Sequence, residues 1–205
     1  MGAFSAAAAA DTSQMFTTAL VTNNTDPDGL GRIKVQYPWS SDTNESYWAR
    51  VVTFMSGSDF GAFFMPEVED EVLVAFLNGD VENPVVIGSL WNQNELPPES
   101  NSNGDNNIRM IRSRSGHEIK FDDNDEASSS KLEIKSSGGH SVVFDDSSGS
   151  EKVTLKDSAG GSVELDAASK KITIKSSSEI AMEAPMITIK ADATLTLKGG
   201  LVKIN

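Results

Sequence analysis

From residue 16 onward, apolar and polar positions alternate in short runs separated by turn residues, the pattern of strands rather than helices. Residues 16–92 predict five strands. FTTALVTN comes first, and DPDGLG then reverses the chain through Pro27, Gly29 and Gly31 into RIKVQYPW, so the first two strands form a hairpin. YWARVVTFM (Tyr47 to Met55) is the third strand, SGSDFGAFFMP crosses to DEVLVAFLNGD (Asp70 to Asp80), and Pro84 opens PVVIGSLW. The apolar stretches Val51, Val52 and Phe54, and Val72, Leu73, Val74 and Phe76, are too continuous for a one-sided sheet facing water, whereas a small closed barrel buries them. An OB-type barrel is the expected fold of 16–92.

Residues 93–107 lack periodicity and are rich in Asn, Ser, Pro and Glu, which predicts a linker. From 108 to 205 the chain repeats itself. An apolar, polar, apolar, Lys motif recurs at Leu132, Val153, Ile172 and Ile187, and VKIN closes the chain at Val202; the starts are 21, 19, 15 and 15 residues apart. A second strand is expected in each repeat, in GHEIKFDD, GHSVVFDD, GSVELDA, SEIAMEA (178–184) and TLTLKG (194–199). Two strands per period predict a β-solenoid or stacked β-meander, making the whole chain all-β. The expected inward set pairs Ile119 with Phe121, Leu132 with Ile134, Val142 with Phe144, Val153 with Leu155, Val163 with Leu165, and Ile172 with Ile174. It continues with Ile180 and Met182, Ile187 and Ile189, Leu195 and Leu197, and Val202 and Ile204. No other segment covers that face, and three identical chains packed on a common axis would do so as an intertwined triangular β-prism. On the residues alone, two chains or a single-chain solenoid remain alternatives.

The 205 residues hold 30 acidic and 17 basic side chains, and 38% are hydrophobic, which fits a folded protein. Zero cysteines exclude disulfide staples, thiolate zinc sites and a cysteine nucleophile. Residues 1–15 read as an alanine-rich tail, or a segment ordered only by a neighbour, without the basic region of a secretory signal, so assembly in the cytoplasm is expected. An OB barrel often binds single-stranded nucleic acid, but residues 1–98 set 13 acidic side chains against Arg32, Lys34 and Arg50, the wrong sign for a phosphate groove. His117 and His140 occupy equivalent repeat positions, and a three-fold axis would gather three copies of each into a metal site; hydrogen-bonded packing histidines are the favoured reading. Asp122, Asp123, Asp145 and Asp146 lack the spacing of a calcium loop and read as solvated turn residues. No catalytic constellation is found, so neither enzyme activity nor a cofactor is expected.

GLGRIKVQYPW, YWARV, GAFFMPEVEDEVLVAFLNGD, NPVVIGSLWN and IRSRSGHEIKFDD together resemble the spike proteins of contractile injection machines: phage baseplate protein V, the VgrG proteins of type VI secretion and the spikes of extracellular contractile systems. The resemblance covers about residues 16–205. It implies a homotrimer, assembled in the bacterial cytoplasm, whose barrels sit on a tail-tube hub, with residues 1–15 as a tail or hub-contact segment, and whose β-prism needle makes transient contact with a target membrane. It also implies a PAAR-repeat cap on the tip, here Leu201, Val202, Lys203, Ile204 and Asn205, and a place in a virion baseplate or secreted particle. Three departures matter: the long hub region is missing, so a separate hub protein should supply it; no lysozyme-like insert lies between barrel and needle; and the iron-binding H-x-H motif of some phage spikes is absent. The family's G-D-E-V-L-V also reads E-D-E-V-L-V here, with Glu69 in place of the glycine. The alternative from another class is a trimeric host-recognition fibre or adhesin, although TLTLKGGLVKIN carries no aromatic residue for sugar binding.

Overall fold

In the computed structural model, residues 15–41, 44–124 and 129–204 are described; the expected tail, apart from Met15, and the tip residue Asn205 lie outside them. The chain divides into two compact units between Pro97 and Pro98. Among the described residues no helix is long and apolar enough to cross a membrane.

The first unit contains β1 (Phe16–Asn23), β2 (Arg32–Gln36), β3 (Ala49–Val51), β4 (Ser56–Gly57), β5 (Phe60–Gly61), β6 (Glu71–Phe76) and β7 (Pro84–Ser89). Five of these close into a barrel in the order β1-β2-β3-β7-β6, antiparallel except where β3 meets β7. Closure follows from alternation: Ala19 and Val21, Ile33 and Val35, and Val72, Val74 and Phe76 point inward with Ala49 and Val86 to make the buried core. Register shifts leave Thr22 of β1 and Ile87 of β7 without a partner and let those strands bend around it. Tyr37 caps the core, its ring stacked on Trp39 at 4.9 Å and edge-on to Phe76 at 5.5 Å. The closed barrel is the core of an OB fold.

The third strand is three residues long rather than nine, which corrects the expected burial of its apolar run: Val52 is 55% exposed and Phe54 84%. Once Val52 N–H has donated to Val86 O at 2.8 Å, the chain leaves the barrel and β4 and β5 pair with each other. The close return depends on Gly61, at φ 147°, where a Cβ would stand 2.7 Å from the Met55 carbonyl oxygen.

The second unit is a seven-stranded sheet of β8 (Ile108–Arg112), β9 (Glu118–Asp122), β10 (Lys131–Lys135), β11 (Ser141–Asp145), β12 (Lys152–Lys156), β13 (Ser162–Asp166) and β14 (Lys171–Lys175). Each strand pairs antiparallel with the next, so this part of the repeat is a meander. The later segments expected as strands, at 178–184, 187–190, 194–199 and 202–205, form none within the described residues. Their alternation is that of a strand, but Pro185 and Gly199-Gly200 cut them into short pieces, and a single copy offers them no paired neighbour.

Candidate functional site

Directly opposed residues of an antiparallel pair share a face. The registers therefore align Ile111, Ile119, Ile134, Val142, Leu155, Val163 and Ile174 in one row across all seven strands of the second unit. A second row on the same face holds Arg109, Phe121, Leu132, Phe144, Val153, Leu165 and Ile172. No apolar side chain among the unit's described residues is buried: Phe144 is 40% exposed, Leu165 46% and Ile172 68%. The twelve inward residues expected from Ile119 to Ile174 thus lie together on one uncovered face. Ile111 belongs with them and was missed, because Arg109 interrupts the apolar alternation of the IRMIR run; Arg109 is paired with Asp123.

The opposite face is charged, and its charges fix the register. Across β9 and β10, Asp122 faces Lys131, Lys120 faces Glu133 and Glu118 faces Lys135. A slip of two residues would set Lys120 against Lys131 and Glu118 against Glu133, replacing attraction by repulsion at each position. Lys120 Nζ lies 3.6 Å from Glu133 Oε2, and Lys131 Nζ 3.0 Å from Asp145 Oδ2. The Ser147 hydroxyl, aided by Lys131, holds the Asp145 carboxyl down to about 2.

His117 and His140 are exposed at turns beside this sheet, and each Nδ1 accepts a backbone N–H from the next turn, Ser137 and Ser158 respectively, at 3.3 Å. Among the described residues no three His, Cys, Asp or Glu side chains are grouped to hold a metal ion. Asp122 and Asp145 are strand residues within the charged rows rather than turn residues, whereas Asp123 and Asp146 follow the strand ends. The further expected inward residues, Ile180, Met182, Ile187, Ile189, Leu195, Leu197, Val202 and Ile204, are all exposed, as are the tip residues Leu201 and Lys203.

On the barrel, Asp26 organises the first turn. Its carboxylate accepts N–H groups from Asp28, Leu30 and Arg32 and is held by the Arg32 guanidinium, at 2.8 Å from both Nε and Nη2, which keeps its pKa well below the usual carboxylate range. Lys34 pairs with Glu45 at 3.0 Å. Two of the barrel's three basic side chains are therefore engaged by acids and do not form a phosphate-binding groove.

Two family models match the chain: the type VI secretion system/phage-baseplate injector OB domain over residues 17–91, and the phage baseplate V C-terminal trimerisation domain over residues 131–205. Over 75 residues the chain is 39% identical to the type VI secretion system spike protein VgrG3 of Vibrio cholerae, covering 35% of this chain and 7% of that protein. The actin cross-linking toxin VgrG1 of Vibrio cholerae matches with the same identity and coverage. The type VI secretion system spike protein VgrG5 of Pseudomonas aeruginosa is 35% identical over 105 residues, which is 47% of this chain and 13% of that protein. The matched region is thus a small part of each relative. The first model falls on the closed barrel; the second starts at the first residue of β10 and runs through the uncovered apolar face and the unpaired segment after it. The chain accordingly belongs to the spike proteins of contractile injection systems, the family of phage baseplate V and the VgrG proteins.

Proposed function

We propose that the chain is the structural central spike of a contractile injection machine and works as a homotrimer whose second units combine into a triangular, membrane-puncturing prism. The uncovered apolar face carries this reading. Thirteen Ile, Leu, Val and Phe side chains occupy one side of a single-layer sheet, and covering the exposed half of each gains about 1 kcal/mol. Three copies meeting at an axis cover that face without a helix or a second sheet, leaving the Lys, Glu, Asp and Thr rows in water.

The segment 176–204 supports an intertwined continuation. Its strand-patterned pieces lack pairing in one chain, and strands from two sister copies would supply it, with Ile180, Met182, Ile187, Ile189, Leu195, Leu197, Val202 and Ile204 turned inward. A rod whose backbone hydrogen bonds are all satisfied internally can enter a bilayer without unfolding. In this proposal the barrel docks on a separate hub protein, a PAAR-type protein caps the tip at Leu201, Val202, Lys203, Ile204 and Asn205, and the particle acts outside the cell that makes it. The role is mechanical and uses no catalytic residue.

Sedimentation equilibrium at micromolar concentration tests the central claim. A mass of three chains is expected, and a well-folded monomer would overturn the reading. Copurification with the neighbouring hub and PAAR-type proteins tests the two docking ends, and binding on a glycan array in place of those proteins would favour the adhesin.

A further inference from the structure

Three hairpin turns on one side of the second sheet share a single design. In the first, Ser113 N–H donates to His117 O at 2.8 Å, Gly116 N–H to Ser113 O at 2.9 Å, and His117 N–H to Ser113 Oγ at 3.0 Å. The turn from Ser136 to His140 repeats these bonds at 2.9, 3.0 and 3.1 Å. The third, from Asp157 to Gly161, puts a carboxylate where the others have a hydroxyl: Gly161 N–H donates to Asp157 Oδ1 at 2.8 Å. Each turn places a glycine at positive φ, Gly116 at 88°, Gly139 at 87° and Gly160 at 96°.

The histidines join these turns into a stack. Ser137 N–H of the second turn donates to His117 Nδ1, and Ser158 N–H of the third donates to His140 Nδ1, both at 3.3 Å. Packing at the second joint is close, since a Cβ on Gly139 would meet Ser158 Cβ at 3.4 Å. In the third turn Gly161 takes the histidine position, and β14, the last paired strand, follows one hairpin later. The histidines thus occur at the two turns that have a successor to hold.

An imidazole nitrogen accepts an N–H only while it carries no proton itself, and in the imidazolium both ring nitrogens are donors. We propose that His117 and His140 are acid-released latches between successive turns, closed while the rings are neutral with the proton on Nε2 and opened when protonation sets one donor against another. The charged groups around His117 are Arg112, Arg114 and Glu118 on its own hairpin and Lys135, which faces Glu118 from β10. Around His140 they are Lys135, Lys156, which faces Ser141 from β12, and Asp157 in the third turn. Asp157, whose carboxyl is held below its ordinary value by the Gly161 and Ala159 N–H groups, interacts electrostatically with His140 and gives the protonated ring an alternative partner. The corresponding residue beside His117 is the uncharged Ser136. The device belongs to the sheet of each chain and stands independently of the proposed trimer.

Hydrogen–deuterium exchange on the full chain at pH 7.5 and 5.0, corrected for the intrinsic pH dependence of exchange, tests the latch. Protection of the Ser137 and Ser158 amides should fall about threefold to tenfold at the lower pH, as expected for loss of one hydrogen bond. The double variant His117→Asn/His140→Asn keeps an acceptor oxygen near Nδ1 but does not titrate, and its protection should be the same at both pH values. Equal protection of the unaltered chain at the two pH values, or an equal loss in the Asn variant, overturns the proposal. A ring-nitrogen NMR spectrum of the unaltered chain at pH 7.5 tests the latch independently: the Nε2–H tautomer supports it, and the Nδ1–H tautomer overturns it.

Discussion

The barrel and the seven-stranded sheet are both built from short alternating strands, yet they dispose of their apolar residues in opposite ways. By returning β6 to β1, the barrel closes on itself and buries Ile33, Val35, Val72, Val74 and Val86 completely. The sheet never closes and buries no apolar side chain among its described residues. The difference lies in connectivity. The long excursion from Val52 to Met65 and the parallel β3–β7 pairing let a five-stranded path join its ends, whereas pairing each strand only with its neighbours in sequence produces an open meander. One unit covers its apolar residues within a single chain, and the other leaves its apolar face uncovered.

The contrast breaks most sharply when charge enters the open face. Ile172→Asp with Ile174→Asp would set six carboxylates on the axis of a trimer at a cost on the order of several kcal/mol. The variant should give monomeric or aggregated protein by light scattering while the barrel still melts cooperatively. A native trimer would show that this face is not the contact. The converse change, Ile33→Ala, removes a fully buried side chain and should destabilise the barrel by about 2–5 kcal/mol. Calorimetry should then show a lower barrel transition while sedimentation still gives the assembled mass; loss of both together would mean that the units do not fold separately.

Glu69 sharpens the comparison at a single turn. It has φ 81° in the turn closed by Asp70 N–H to Glu67 O at 3.2 Å. A side chain in that conformation is strained, so Glu69→Gly should stabilise the barrel by about 1 kcal/mol in a denaturant titration. The smallest effect is electrostatic and belongs to the sheet. Because the folded Asp145 carboxyl is held down to about 2, its contribution is complete above the ordinary aspartate value of about 4 and is lost as the pH falls through about 2. Asp145→Asn should lower the sheet's melting temperature at pH 7 and leave it almost unchanged near pH 1.5; an equal loss at both pH values would assign Asp145 a purely packing role.

How legible each part was depended on how local its signal was. The DPDGLGR turn, the strand FTTALVTN and the alternation of EVLVAF form as their residues dictate, because Asx turns, glycine positions and period-two burial act over a few residues. Val51 of the run VVTF packs against the core as its hydrophobicity suggests, but Val52 and Phe54 were misread, because the chain exits the barrel after Val51. Ile111 was missed because Arg109 masks the alternation, and the histidine contacts were out of reach because they bridge residues 18 and 20 positions apart.

By itself the sequence determined the all-β class, the two-part organisation and the apolar set of the second half, since each rests on local periodicity and backbone preference. Tertiary structure alone decided that the first strands close while the later ones stay open, that the apolar positions align in two rows on one face, that the charges facing each other on the reverse are opposite in sign, and that each histidine meets the next turn. Those outcomes depend on register and closure, which bring together groups tens of residues apart and are set by the packing of whole strands rather than by any one of them.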